Sequence, residues 1–253
     1  MPVLARSAVL MSLLLQDNAV DLELATCVVA LDPGLAFGVL QLANPACDRP
    51  GDPVWQIPLA LVAAGREALQ NLLEYAPRIT LSALEGERGQ LLQLARGAVV
   101  RACVAQLLAR ELGRCNPKKS FLGGLVFEVP QMVGLTAAVR GDYRARLLSV
   151  MCNSLPAAVV KAALADMDEA EGVNDPLLAT ILIAEALIQA ATPASRSPIA
   201  ASGSWRCWPD LVQEQRASLL KRCAELTDWV AANLYRLDPW DFMSRLERRK
   251  PGE

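Results

Sequence analysis

The chain has 253 residues, of which 53% are apolar and 21% charged, with a formal net charge of −2. That is enough apolar material for one large domain, or a medium domain with an appendage, and too little net charge to attract nucleic acid or an anionic membrane surface. No histidine occurs anywhere in the sequence, which excludes Ser-His-Asp and Cys-His catalysis, HExxH zinc sites and histidine-bearing di-metal centres together. Aromatic residues make up only 5%, while Leu and Ala dominate, a balance that favours helices over strands.

The apolar stretch AVLMSLLL at 8–15 is followed at once by Gln-Asp-Asn, without a small-x-small cleavage pattern. It predicts a first amphipathic helix, not a signal peptide. No run reads as the roughly 18 consecutive apolar residues of a membrane span. Asp21 is placed to cap a helix over Leu22–Ala30. Asp32-Pro33, Asn116-Pro117 and Asp175-Pro176 each set a good cap before a proline suited to a first helical turn. After Asp32, Leu35, Val39 and Leu42 form one stripe over 33–43, and Asn44-Pro45 ends it before a Pro/Gly-rich loop to about Gln56. Ile57 to Glu74 reads as helix broken at Gly65, and 87–112 is the longest helical pattern, with Gly113 as a left-handed terminator. A helix is expected at about 117–128, a break at Val129-Pro130, and short helices at 131–139 and 143–151. Asn153-Ser154 then caps a helix with Pro156 in its first turn, and 176–191 is helical.

Composition shifts at 192–204, TPASRSPIAASGS, which reads as a linker between a domain at 1–191 and an extension at 205–253. In that extension Cys223, Leu226, Val230, Leu234 and Leu237 form the stripe of one long amphipathic helix, with Trp229 beside it. No strand shows period-2 alternation, so the fold class is all-α.

The stretch LATCVVALDPGLAFGVLQLANPA at 24–46 resembles the opening signature of HDOD domains: Leu-Ala, an apolar helix, Asp-Pro, then a second helix ending Leu-Ala-Asn. IPLALVAAGREALQNLL at 57–73, SFLGGLVFEV at 120–129, SLPAAVVKAAL at 154–164 and LLATILIAEALI at 177–188 continue the resemblance over about residues 5–190. It implies an HD-like helical bundle related to HD-type metal phosphohydrolases, used mainly in bacterial signalling and usually without enzymatic activity. This sequence departs from even a partial metal pattern. Phe127-Glu128 stand where many relatives carry His-Asp, Arg96 or Gly97 stands where relatives can carry an upstream histidine, and Asp166-Met167 stand about where relatives can carry a later histidine pair.

A hydrolytic metal site needs several ligands converging on an ion, with a position left open for water. Glu128 offers one carboxylate and Phe127 none, while Arg96, if it faced the pocket, would repel a cation and suit an ion pair with Glu128. Arg96, Phe127, Glu128 and Asp166 therefore read as a vestigial pocket, with no catalytic residue, metal ligand or cofactor expected. The acidic run DMDEAE at 166–171 lacks an EF-hand pattern and reads as a solvated helix end or loop. GxxxxGK[ST] and GxGxxG are absent, and Gly123-Gly124 read as a place where two helices approach closely. Seven cysteines without a CxxC read as core residues of a reduced, cytoplasmic protein.

Trp205, Trp208, Trp229 and Trp240 crowd the extension. Trp208, Trp229 and Trp240 offer a candidate partner surface, against the alternative that the helix folds back onto its own chain. The expected function is a non-enzymatic regulatory or scaffolding module of bacterial signal transduction that binds signalling proteins, with a second copy of the chain as another candidate partner. The alternatives are a carboxylate-only metal-dependent phosphohydrolase and a nucleotide or small-molecule sensor.

Overall fold

The computed structural model describes residues 2–17, 19–44, 53–80, 86–136, 151–152, 155, 160, 175–191 and 211–248. Its helices are α1 (Ala5–Leu14), α2 (Leu22–Ala30), α3 (Pro33–Ala43), α4 (Ile57–Ala64), α5 (Arg66–Tyr75), α6 (Gly86–Leu112), α7 (Pro117–Val126), α8 (Val129–Thr136), α9 (Pro176–Ala191), α10 (Gln213–Asn233) and α11 (Pro239–Arg248). Two short strands, β1 (Val3–Leu4) and β2 (Arg78–Ile79), pair in parallel with Val3 opposite Arg78 and Leu4 opposite Ile79. The fold is all-α, as the helix-rich pattern implies. The strands were not foreseen, because two residues are too few to show alternation and their pairing joins distant parts of the chain.

Asx-Pro capping sets the helix starts. Asp32 Oδ1 accepts from the Leu35 amide at 3.0 Å, Asn116 Oδ1 from those of Lys118 and Lys119 at 2.9 and 3.1 Å, and Asp175 Oδ1 from that of Leu177 at 2.9 Å. Each bond satisfies an amide that has no partner inside its own helix. A fourth instance corrects the C-terminal reading. The chain leaves α10 after Asn233 and restarts at Pro239, where Asp238 Oδ1 accepts from the Asp241 amide at 2.9 Å. The stripe assigned to one helix thus ends at a break, and Leu237 lies beyond α10.

Val129-Pro130 opens α8 where a break was expected, since a proline in the first helical turn forfeits no intrahelical bond. Gly65 and Gly113 take positive φ of 76° and 63° and separate α4 from α5 and end α6, as expected. The expected helices at 143–151 and after Pro156, the linker at 192–204, the acidic run at 166–171, Asp166 and Trp208 lie outside the described residues, apart from isolated positions.

By internal contacts the chain divides into two units. One comprises Met1–Val99 with Leu125–Ala163, the other Val100–Gly124 with Leu164–Glu253. In the first, α3 is the central element, packed by α2, α4, α5, α8 and β1. It carries no charged residue, and Pro33 to Leu40 are all buried, so the stripe read from sequence understates a helix enclosed on every side.

In the second unit α10 packs on α9 and buries Leu219, Cys223, Leu226 and Val230. Arg222 makes a bidentate ion pair with Glu111 of α6, both bonds at 2.5 Å, and Arg101 of α6 pairs with Glu185 of α9. The Trp229 and Phe242 rings lie 5.2 Å apart and join α10 to α11. The C-terminal helices are therefore held on their own chain. At Gly124 an added Cβ would stand 2.8 Å from the Ala102 backbone, so α6 and α7 cross where only glycine fits, as the Gly123-Gly124 pair implies.

No unbroken apolar run of membrane-spanning length occurs in α6, which Arg96 and Arg101 interrupt, although its average hydropathy is high. Among the described residues, Gly89–Leu112 of α6 is long and apolar enough to span a membrane, with a mean hydropathy of 1.4. Most of that stretch is buried within the protein. Cys103 and Cys223 are buried core thiols, and burial pushes both up to about 12. Cys152 is exposed instead.

Candidate functional site

An open cleft of about 530 Å³ lies in the first unit between the start of α6 and α8. The α6 wall is Gln90, Gln93, Leu94 and Gly97, spaced i, i+3, i+4 and i+7, which puts all four on one helical face. The α8 wall is Glu128, Gln131, Gly134 and Leu135. An added Cβ at Gly97 would meet nothing within 4 Å, so this position is open space in the cleft wall.

Glu128 is buried, with only 8% of its surface exposed. Its position follows from the local chain path: α7 ends at Val126, Phe127 and Glu128 form the turn, and the Met132 amide donates to the Glu128 carbonyl at 2.9 Å. Glu128 thereby occupies the residue before α8, where the partial positive charge of a helix N-terminus favours a carboxylate. This accounts for an acid at the end of an apolar run.

The structure brings only part of the sequence-derived pocket together. Glu128 lines the cleft. Phe127 is half-buried beside it and is not among the lining residues, and Arg96 is exposed on α6 while its neighbour Gly97 faces the cleft. Asp166 lies outside the described residues. The three glutamines and Gly134 were missed. Their signal was present as helical spacing from Gly97 and from Glu128, but glutamine carries no chemistry that singles it out.

Glu128 is the one ionisable side chain among the described lining residues. Among the described residues no group of three or more Cys, Asp or Glu side chains converges to hold a metal ion. Hydrolytic ions take several hard donors or imidazoles at once, so this donor set does not fit a catalytic metal.

Of the tryptophans, Trp240 is 46% exposed on α11. Trp229 is half-buried against Phe242, and Trp208 lies outside the described residues.

The HDOD domain model matches residues 1–171. A crystal structure of the MmoQ response regulator from Methylococcus capsulatus is similar, with a TM-score of 0.60 and 19% identity, covering 87% of this chain and 97% of that one. A structure of a fragment of the same regulator has a TM-score of 0.58 and 18% identity, covering 85% and 93%. At these identities the likeness concerns the fold. No curated protein matches the chain. With a family match over 171 of its 253 residues and an all-helical fold to agree with it, the chain belongs to the HDOD domain family.

Proposed function

We propose that the protein is a non-enzymatic regulatory or scaffolding module of bacterial signal transduction that works by binding other proteins and retains a vestigial HD-type pocket. The observation that carries this reading is the cleft itself: among its described lining residues one carboxylate is set among glutamines, glycines and leucines, in a chain without histidine. Membership of the HDOD family and the likeness in fold to a protein titled a response regulator support the signalling setting. Among the described tryptophans, Trp240, exposed at the start of α11 and followed by Arg245 and Arg248, is best placed to meet a partner.

The test is a panel of phosphodiester and nucleotide substrates with added Mg²⁺ or Mn²⁺. No turnover above the metal-only background is expected. Turnover that disappears in Glu128→Ala would establish the phosphohydrolase reading instead. A cleft of this volume also falls in the range of small-molecule sites, which favours a sensor as the second reading. A ligand of that kind would raise the melting temperature by mass action in a thermal-shift screen.

A further inference from the structure

The cleft between α6 and α8 combines a buried acid with exposed amides. Glu128 is 8% exposed, whereas Gln90 and Gln93 of α6 and Gln131 of α8 are open to solvent. Leu94 and Leu135, both half-buried, give the cleft apolar surface, and Gly97 leaves open space in its α6 wall. Among the described lining residues there is no Lys or Arg. A phosphate or carboxylate ligand would meet the Glu128 carboxylate there without a counter-charge, which is costly away from water. The N-terminus of α8 offsets only part of that charge, since a helix end carries about half a unit.

We infer that the cleft binds a guanidinium group. Such a head has five N–H donors in a rigid planar fork and no acceptor. A carboxylate takes two of them in parallel bonds. Three donors remain, and the described lining holds three carboxamide oxygens to accept them, on Gln90, Gln93 and Gln131. Glu128 keeps capacity for this beside its other contacts, because a carboxylate has about four lone-pair sites. The weakly hydrated faces of the fork can lie against Leu94 and Leu135, where an ammonium would have to shed a tightly held water shell. At about 530 Å³ the cleft also admits an alkyl chain behind the head. The same head is carried by free guanidino compounds and by the arginine side chains of other proteins. The inference rests on the non-catalytic reading of the cleft, because a divalent cation seated on Glu128 would repel the head.

The experiment is isothermal titration of the full chain with n-butylguanidinium, with n-butylammonium, with a capped tripeptide that has arginine at its centre and, separately, with Mn²⁺. One equivalent of a guanidinium probe is expected to bind, and the tighter of the two guanidinium probes identifies the carrier. n-Butylammonium, which has the same chain and a different head, is expected to bind about tenfold more weakly or worse. Glu128→Gln keeps the shape of the acid without its charge and is expected to weaken the guanidinium probe about tenfold or more. Gly97→Leu fills the open wall and removes no polar group. A Cβ there meets nothing within 4 Å, so the variant is expected to fold, as far-UV circular dichroism would show, and to lose binding. If Glu128→Gln does not fold, Gly97→Leu and the ammonium probe decide. No saturable binding of either guanidinium probe at millimolar concentration, equal binding of the ammonium, or binding that survives Glu128→Gln or Gly97→Leu overturns the inference. One equivalent of Mn²⁺ that is lost in Glu128→Gln overturns the non-catalytic reading together with it. Failure of the guanidinium probes with no Mn²⁺ bound overturns the guanidinium site alone.

Discussion

Gly34 and Gly38 sit one turn apart on α3 and show how differently two glycines in one helix are constrained. A methyl at Gly34 meets the Pro2 backbone oxygen at 1.9 Å, which yields only if the N-terminal segment moves as a whole. At Gly38 it meets the ends of the Leu72 side chain at 2.9 and 3.0 Å, and a leucine can change rotamer. Gly34→Ala is expected to cost about 1–3 kcal/mol, as overpacking does, and Gly38→Ala less than that. Urea unfolding of the two variants checks the order, and equal losses would mean that the N-terminal segment yields as easily as a leucine. Neither constraint was legible in PGLAFGVLQLA, because Pro2 and Leu72 come from distant sequence. Glu128 shows the opposite case: its place as a lone acid after an apolar run was legible, and the structure adds that it precedes α8 and lines a cleft.

Among elements, capping chemistry was the most readable signal. Asp32, Asn116 and Asp175 stand where an Asx-Pro pair predicts a helix start, and Asp21 accepts from the Leu24 amide at 3.0 Å without a proline. Asp238-Pro239 carries the same signal, but the apolar stripe running through Leu234 and Leu237 masks it. A three-residue step looks the same whether a helix continues or restarts. Asp238→Ala is expected to lose about 1 kcal/mol, the usual worth of an N-cap, and to loosen α11 first. Near-UV circular dichroism of the Trp229–Phe242 contact would then weaken at a lower temperature than far-UV helicity. Simultaneous loss of both signals would show that α11 does not come away separately.

At the scale of the whole molecule, the fold class and the family were legible because local patterns carry them: helix-period stripes, caps, and an opening signature spread over fewer than thirty residues. The tertiary ties were not. Arg101 meets Glu185 across 84 positions and Arg222 meets Glu111 across 111, and nothing in the neighbourhood of any of these residues marks its partner. The same holds for the cleft, where Gly97 faces the cavity and Arg96 does not. A shift of one residue turns a side chain through about 100° of the helix, enough to exchange a repelling cation for open space. With that cation displaced, the proposal of a cleft without a catalytic ion rests on the described donor set alone. One acid among the described lining residues, the rest of them uncharged, offers too few hard ligands to hold a divalent cation with a water poised for attack.

That point is open to direct measurement by isothermal titration of Mn²⁺ and Mg²⁺ into the exhaustively dialysed full chain, run beside Glu128→Gln. The account predicts no saturable site that depends on Glu128 in the micromolar range. One equivalent bound at that affinity, and lost in Glu128→Gln, would contradict it.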